Sequence, residues 1–177
     1  MIKVEIRKFE EMKDVLMDPT VQTPYFSPYY IIKNPGQNFT ILPPIMYGRE
    51  FNKTYGHYHV PDYPEKYKLL NGEGYVLVQR LVNRSGPFYK LKEVSFYKLK
   101  KDNWVELPPD SAHILINAGD DLMITQDDQS DANFGHDYKS IADLKGMGYY
   151  VVEGKGGKIE FIPNPNYKNL PEIIANL

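Results

Sequence analysis

The chain contains no cysteine, which excludes disulfides and thiolate metal sites, so any bound metal must rely on imidazole and carboxylate ligands. It also lacks a surplus of charge. With 21 basic and 23 acidic residues the net charge is −2, and no basic stripe points to nucleic acid as a partner. The nearest approach to one, Lys98, Lys100 and Lys101, reads as a solvated edge. No run nears the ~18 apolar residues of a membrane span, and Met1-Ile2-Lys3-Val4-Glu5-Ile6-Arg7 lacks the apolar core of a signal peptide. A soluble, cytoplasmic protein with no membrane partner is expected. Glycosylation-like triplets at Asn38, Asn52 and Asn83 are then chance matches.

Helical periodicity is scarce as well. Phe9 to Met17 places Phe9, Met12, Val15 and Leu16 on one apolar stripe, and Ser140 to Leu144 suits a single turn. The tail, Leu170 to Leu177, predicts a helix opened by Pro171. Short strand-like runs fill the rest: Tyr29–Ile32, Phe39–Leu42, Tyr67–Leu70, Tyr75–Val82, Val94–Leu99, His113–Asn117, Leu122–Thr125, Tyr149–Glu153 and Ile159–Ile162. Fifteen tyrosines suit half-buried pleated surfaces, which strengthens the β reading. Asn71-Gly72-Glu73-Gly74 and Gly154-Lys155-Gly156-Gly157 predict hairpin turns. No repeat or linker interrupts the pattern, so residues 1–177 read as one mainly-β domain, a sandwich or closed barrel.

Three of the four histidines fall into one arrangement. His57 and His59 are two apart, so on a strand both project from the same face. Glu65 follows after a gap containing Pro61 and Pro64, which turns the chain into the next strand. His113 comes much later, on a run that a barrel can bring beside the first two. Three imidazoles and a carboxylate suit Fe, Mn, Ni, Co or Zn, with positions left open for a substrate.

This pattern, with Gly72 closing the first segment and Pro109 preceding the second, resembles the two motifs of the cupins, whose fold is a double-stranded β-helix or jelly-roll barrel. Asp110 stands where the second motif usually has glycine, and still fits a turn. The stretch from Tyr75 to Leu107 suits an extended hairpin turning at Asn83-Arg84-Ser85-Gly86-Pro87. Thr54-Tyr55-Gly56-His57-Tyr58-His59, Glu65-Lys66-Tyr67 and Gly135-His136-Asp137-Tyr138 are similar to segments of the cupin-type glucose-6-phosphate isomerases, as are Tyr47-Gly48-Arg49-Glu50-Phe51 and Asn164-Pro165-Asn166-Tyr167.

That resemblance covers about Asn38 to Lys168. It implies that His57, His59, Glu65 and His113 bind one divalent metal ion, Fe²⁺ with Mn²⁺, Ni²⁺ or Zn²⁺ as alternatives. Thr40, Thr54 and Gly56 would hold a sugar phosphate, and Tyr67, His136 and Tyr138 would line the sugar pocket. Glu65 and His136 would be the acid–base groups, and a homodimer is implied. Hydroxyl and backbone donors can hold a phosphate without a basic patch, consistent with the balanced charge. One stretch departs from the family: Gln126-Asp127-Asp128-Gln129-Ser130-Asp131 carries three aspartates that would repel a phosphate unless they face away. The metal motif alone also fits an oxygenase or a non-catalytic sugar-phosphate binder on the same fold.

Overall fold

The structure is a computed structural model that describes residues 1–82, 90–129 and 135–176. Its strands in chain order are β1 (Lys3–Arg7), β2 (Tyr29–Asn34), β3 (Gln37–Leu42), β4 (Met46–Tyr47), β5 (Glu50–Lys53), β6 (His57–Val60), β7 (Glu65–Asn71) and β8 (Gly74–Leu81). After these come β9 (Leu91–Lys98), β10 (Val105–Leu107), β11 (Ser111–Asn117), β12 (Met123–Asp127) and β13 (Gly135–Asp137). The last three are β14 (Tyr149–Glu153), β15 (Ile159–Pro163) and β16 (Ile173–Asn176). Two short helices, α1 (Phe9–Met12) and α2 (Lys139–Ala142), flank them.

One sheet runs β1-β2-β3-β12-β7-β10. The other runs β15-β14-β5-β11-β8-β9-β16, with β6 and β13 attached through β11. The sheets face each other across a core of Leu42, Tyr67, Val76, Leu115 and Met123, giving a mainly-β barrel. β11 is buried at every position because it lies centrally in its sheet and is covered on both faces. His113, Leu115 and Asn117 turn towards the first sheet. Ile114 packs on the opposite side, where Gly56 and Met147 approach.

Several expectations hold. Phe9, Met12, Val15 and Leu16 are all buried, as one stripe requires. The helix itself ends sooner than expected, passing into a 3₁₀ turn at Lys13–Val15. A buried ion pair fixes this end: Lys53 Nζ donates to Val15 O at 2.7 Å, Glu50 Oε2 accepts from Met17 N–H at 2.8 Å, and the two side chains meet directly. Asn52 is buried too, its amide donating to Pro28 O and Pro43 O at 2.8 Å each. It and Asn38 are therefore closed to glycosylation, whereas Asn83 lies outside the described residues. Asp110 uses its non-glycine side chain to fasten the start of β11: Arg80 grips it through two bonds of 2.8 and 3.0 Å, and Lys92 adds a third at 2.7 Å. The hydrogen bond from Arg80 leads in holding the Asp110 carboxyl down to about 2.

Two expectations fail. The tail is a strand, β16, paired in parallel with β9 from Ile173↔Val94 to Asn176↔Tyr97. The open edge of β9 supplies partners for the backbone of β-branched Ile173 and Ile174, which a four-residue helix would leave largely unbonded. Leu177 lies outside the described residues, as does the hairpin turn at Asn83–Pro87, although β8 and β9 do pair as its arms. Nor is Asn71–Gly74 a hairpin: β7 and β8 belong to different sheets, so this turn carries the chain across the barrel. Gly72 is still needed, with φ +78° and Leu122 O only 2.6 Å from where a Cβ would sit. The Gly154–Gly157 turn does join an antiparallel pair, β14 and β15.

Removing one partner of the buried Glu50–Lys53 pair leaves an uncompensated charge. Lys53→Ala is expected to lower the unfolding free energy by about 3–5 kcal/mol in urea titration. Glu50→Gln with Lys53→Met should cost clearly less, and an equal loss would show that the charge pair is not what fixes this end of α1.

Candidate metal centre

β6 holds His57 and His59 on one face, their ring centroids 5.0 Å apart. It pairs antiparallel with β11 so that His113 lies directly opposite His57, with rings 4.7 Å apart. Glu65, the first residue of β7, enters from the facing sheet. Its Oε2 lies 2.9 Å from His113 Nε2 and 3.5 Å from His59 Nε2. One ligand atom from each of the four residues falls within 4.8 Å of the others. The sequence-predicted ligand set is thus assembled from three strands and both sheets.

The chemistry of these atoms fits a cation. His57 Nε2 and Glu65 Oε2 are buried with no hydrogen-bond partner among the described residues, a costly state unless a ligand completes them. His59 Nδ1 meets Tyr63 O at 2.9 Å; a carbonyl only accepts, so that nitrogen carries the proton and Nε2 offers its lone pair to the cluster. Burial, reinforced by His113, His136 and His59, pushes the His57 imidazole well below its ordinary value. Burial alone would raise Glu65, but His113, then His59 and Tyr67, hold its carboxyl below the usual range. A neutral imidazole and an ionised carboxylate are the states that bind a metal.

The remaining expected residues line the same cavity: Thr40, Thr54, Gly56, Tyr67, His136 and Tyr138. Thr54 Oγ1 accepts from Leu115 N–H at 3.0 Å, which leaves its hydroxyl proton to donate elsewhere. Gly56 has φ +89°, and a Cβ there would come 2.7 Å from Ile114 Cγ2. Tyr67 Oη is 3.3 Å from His113 Nε2; burial first, then the charges of Glu65 and Asp127, hold its hydroxyl protonated far above the ordinary value. His136 sits opposite His59 on β13, its ring 4.3 Å from that of His57, and the Tyr138 ring is 5.4 Å from His57. Asp137, between them, turns away and accepts from Ser140 N–H at 3.0 Å, starting α2.

Sequence reasoning missed Arg7 and Asp127. Arg7 Nε donates to Tyr29 Oη at 2.9 Å, and its guanidinium lies 5.4 to 5.6 Å from the centroids of Tyr29, Tyr55 and Tyr138. It brings a cation to a cavity that was expected to rely on neutral donors. The alternation of Lys3, Glu5 and Arg7 with Val4 and Ile6 was the available signal. Asp127 does not face away but lines the cavity; burial, with the charge of Glu65, raises its carboxyl to about 7. Asp128 turns outward and accepts from Lys66 N–H at 3.0 Å, while Asp131 lies outside the described residues.

Comparison with known proteins agrees with this arrangement. A family model described as glucose-6-phosphate isomerase matches residues 7–168. The glucose-6-phosphate isomerase of Pyrococcus horikoshii is 34% identical over 131 residues, covering 73% of this chain and 63% of that protein. The enzyme of the same name from Thermococcus onnurineus is 35% identical over 130 residues, covering 73% of this chain and 62% of its own. The chain therefore spans somewhat less than two thirds of the length of these relatives. Among solved structures, an oxalate decarboxylase formate complex from Lactobacillus farciminis is similar over 70% of this chain and 35% of its own, with 13% identity and a TM-score of 0.48.

Metal binding should be visible without any substrate. At roughly 1,000 times its dissociation constant an ion adds about 4 kcal/mol of stability, so Mn²⁺ added to chelator-stripped protein is expected to raise Tm by several degrees. The rise should vanish in His113→Ala; its persistence there would remove His113 from the ligand set.

Proposed function

Because the chain belongs to the glucose-6-phosphate isomerase family, we propose that residues 1–177 act as one cupin domain that interconverts glucose 6-phosphate and fructose 6-phosphate. The observation that carries this reading is the convergence of His57, His59, Glu65 and His113 in a cavity also lined by Thr40, Thr54, Gly56, Tyr67, His136 and Tyr138. The ion we assign is Fe²⁺, with Mn²⁺, Ni²⁺ and Zn²⁺ as competitors for a nitrogen-rich mixed site. Bound there, it would polarise the substrate carbonyl and stabilise negative charge developing on oxygen.

The chain's own groups would then share the work. Thr54 donates its free hydroxyl proton to the phosphate, Thr40 adds a second hydroxyl, and the close backbone at Gly56 lets the phosphate approach the strand. Arg7 lends charge from beside Tyr55. In an enediol route Glu65 takes the proton from C2 of the aldose and returns it to C1, while a proton moves from the C2 oxygen to the C1 oxygen. In a hydride route the hydrogen passes from C2 to C1 with its electron pair, and Glu65 stays a ligand. His136 would exchange the ring-opening proton, an imidazole being able to act as acid or base.

The same reading places the protein in the cytoplasm, among phosphorylated sugars, as a homodimer. Supporting the dimer, edge strand β1 leaves the outward side chains Val4 and Ile6 62% and 54% exposed.

Chelator-stripped protein re-supplied with each metal in turn should convert fructose 6-phosphate to glucose 6-phosphate, fastest with Fe²⁺, and His59→Ala should lose at least ~100-fold. No turnover with a filled site would overturn the isomerase reading. Turnover in heavy water separates the routes: substantial deuterium incorporation at the transferred position excludes a pure hydride shift.

A further inference from the structure

On the first sheet, cavity-facing side chains lie in rows two residues apart. Thr40 stands opposite Thr125, and Thr125 opposite Leu69. In the next row Asp127 stands opposite Tyr67 and is bonded to Asn38. Glu65 follows two residues beyond Tyr67 on β7. A two-residue step along a strand covers about 6.6 Å. Asp127 therefore sits midway between the Thr40 row, where the phosphate is placed above, and the carboxylate of the metal cluster.

The side chain is held as a built site would hold it. Asp127 is only 5% exposed, yet it lines the cavity. Its Oδ1 accepts from Asn38 N–H at 3.0 Å, Asn38 Nδ2 at 3.1 Å and Gln129 N–H at 2.9 Å. Those three donors fix the carboxyl plane. Its Oδ2 receives no hydrogen bond from any described residue, which leaves that oxygen available to a group entering the cavity.

We propose that Asp127 is a specificity-determining residue that accepts hydrogen bonds through Oδ2 from the middle hydroxyls of the sugar phosphate, those on C3 and C4. The assignment rests on the isomerase reading: with the phosphate at Thr40 and Thr54 and the C1–C2 end at the metal cluster, the middle of the chain crosses the Asp127 row. A polar group built to bond a hydroxyl discriminates against analogues that lack it, because the group is then left unpaired.

Glucose 6-phosphate is compared with its 3-deoxy and 4-deoxy analogues, by turnover and by calorimetric binding to the Mn²⁺-loaded protein. Hydrogen bonds to a charged group contribute about 1.5–3 kcal/mol, so at least one analogue should fall roughly 10- to 100-fold below glucose 6-phosphate in wild type. Asp127→Asn keeps an oxygen for Asn38 and Gln129, so Tm should hold. Its kcat/KM for glucose 6-phosphate should drop about 10-fold or more while that analogue changes little. Equal losses on both substrates, or no loss at unchanged Tm, would overturn the assignment while leaving the isomerase intact. Binding with the expected discrimination but no turnover would keep Asp127 in this role and sink the isomerase. Neither binding nor turnover would sink both.

Discussion

Glu65 meets His113 across the barrel at 2.9 Å, and the placement of the whole site depends on that approach. The carboxylate comes from one sheet and the three imidazoles from the other, so the cluster exists only when both sheets close on a common core. Burying an ionised carboxylate is expensive unless a counter-charge accompanies it. Here the compensation inside the chain is incomplete, because Oε2 of Glu65 and Nε2 of His57 have no hydrogen-bond partners among the described residues. A cation at their centre would resolve that deficit. The same requirement explains the surrounding rigidity. Tyr63 O orients His59, Gly56 lets β6 lie against Ile114, and β11 is fastened at its start by the Asp110–Arg80 pair.

Much of the cluster of His57, His59, Glu65 and His113 was legible because it is written in a local code. Two histidines two apart on a strand share a face, and prolines between His59 and Glu65 turn the chain at a fixed place. His113 was legible through its similarity to a known motif, since nothing local joins it to residues more than fifty positions earlier. What escaped the sequence reading is what pairing decides. Ile173 and Ile174 follow a proline that suits a helix start, but the unpaired edge of β9 outweighs that weak preference. Gly72 was recognised as a turn residue, yet its turn crosses between sheets instead of joining neighbours.

β1 and β12 show a further limit. In Lys3–Arg7 the alternation is plain, but its sense is inverted: Arg7 reaches the cavity while Val4 and Ile6 face outward. A reading that sends apolar residues inward assigns the wrong face. In the acidic stretch the residues were visible and their directions were not. Strand period puts Thr125 and Asp127 on one face and leaves Asp128 outside, a distinction that needs the register with β7 and β3.

The central claim is that three imidazoles and one carboxylate of this chain share a single ion. X-ray absorption at the metal edge of protein loaded with one equivalent of Fe²⁺ or Mn²⁺ tests it directly. The account expects one ion per chain, with scattering from three imidazoles and a first shell otherwise made of oxygen. A shell with fewer than two imidazoles, or loading far below one ion per chain, would contradict it.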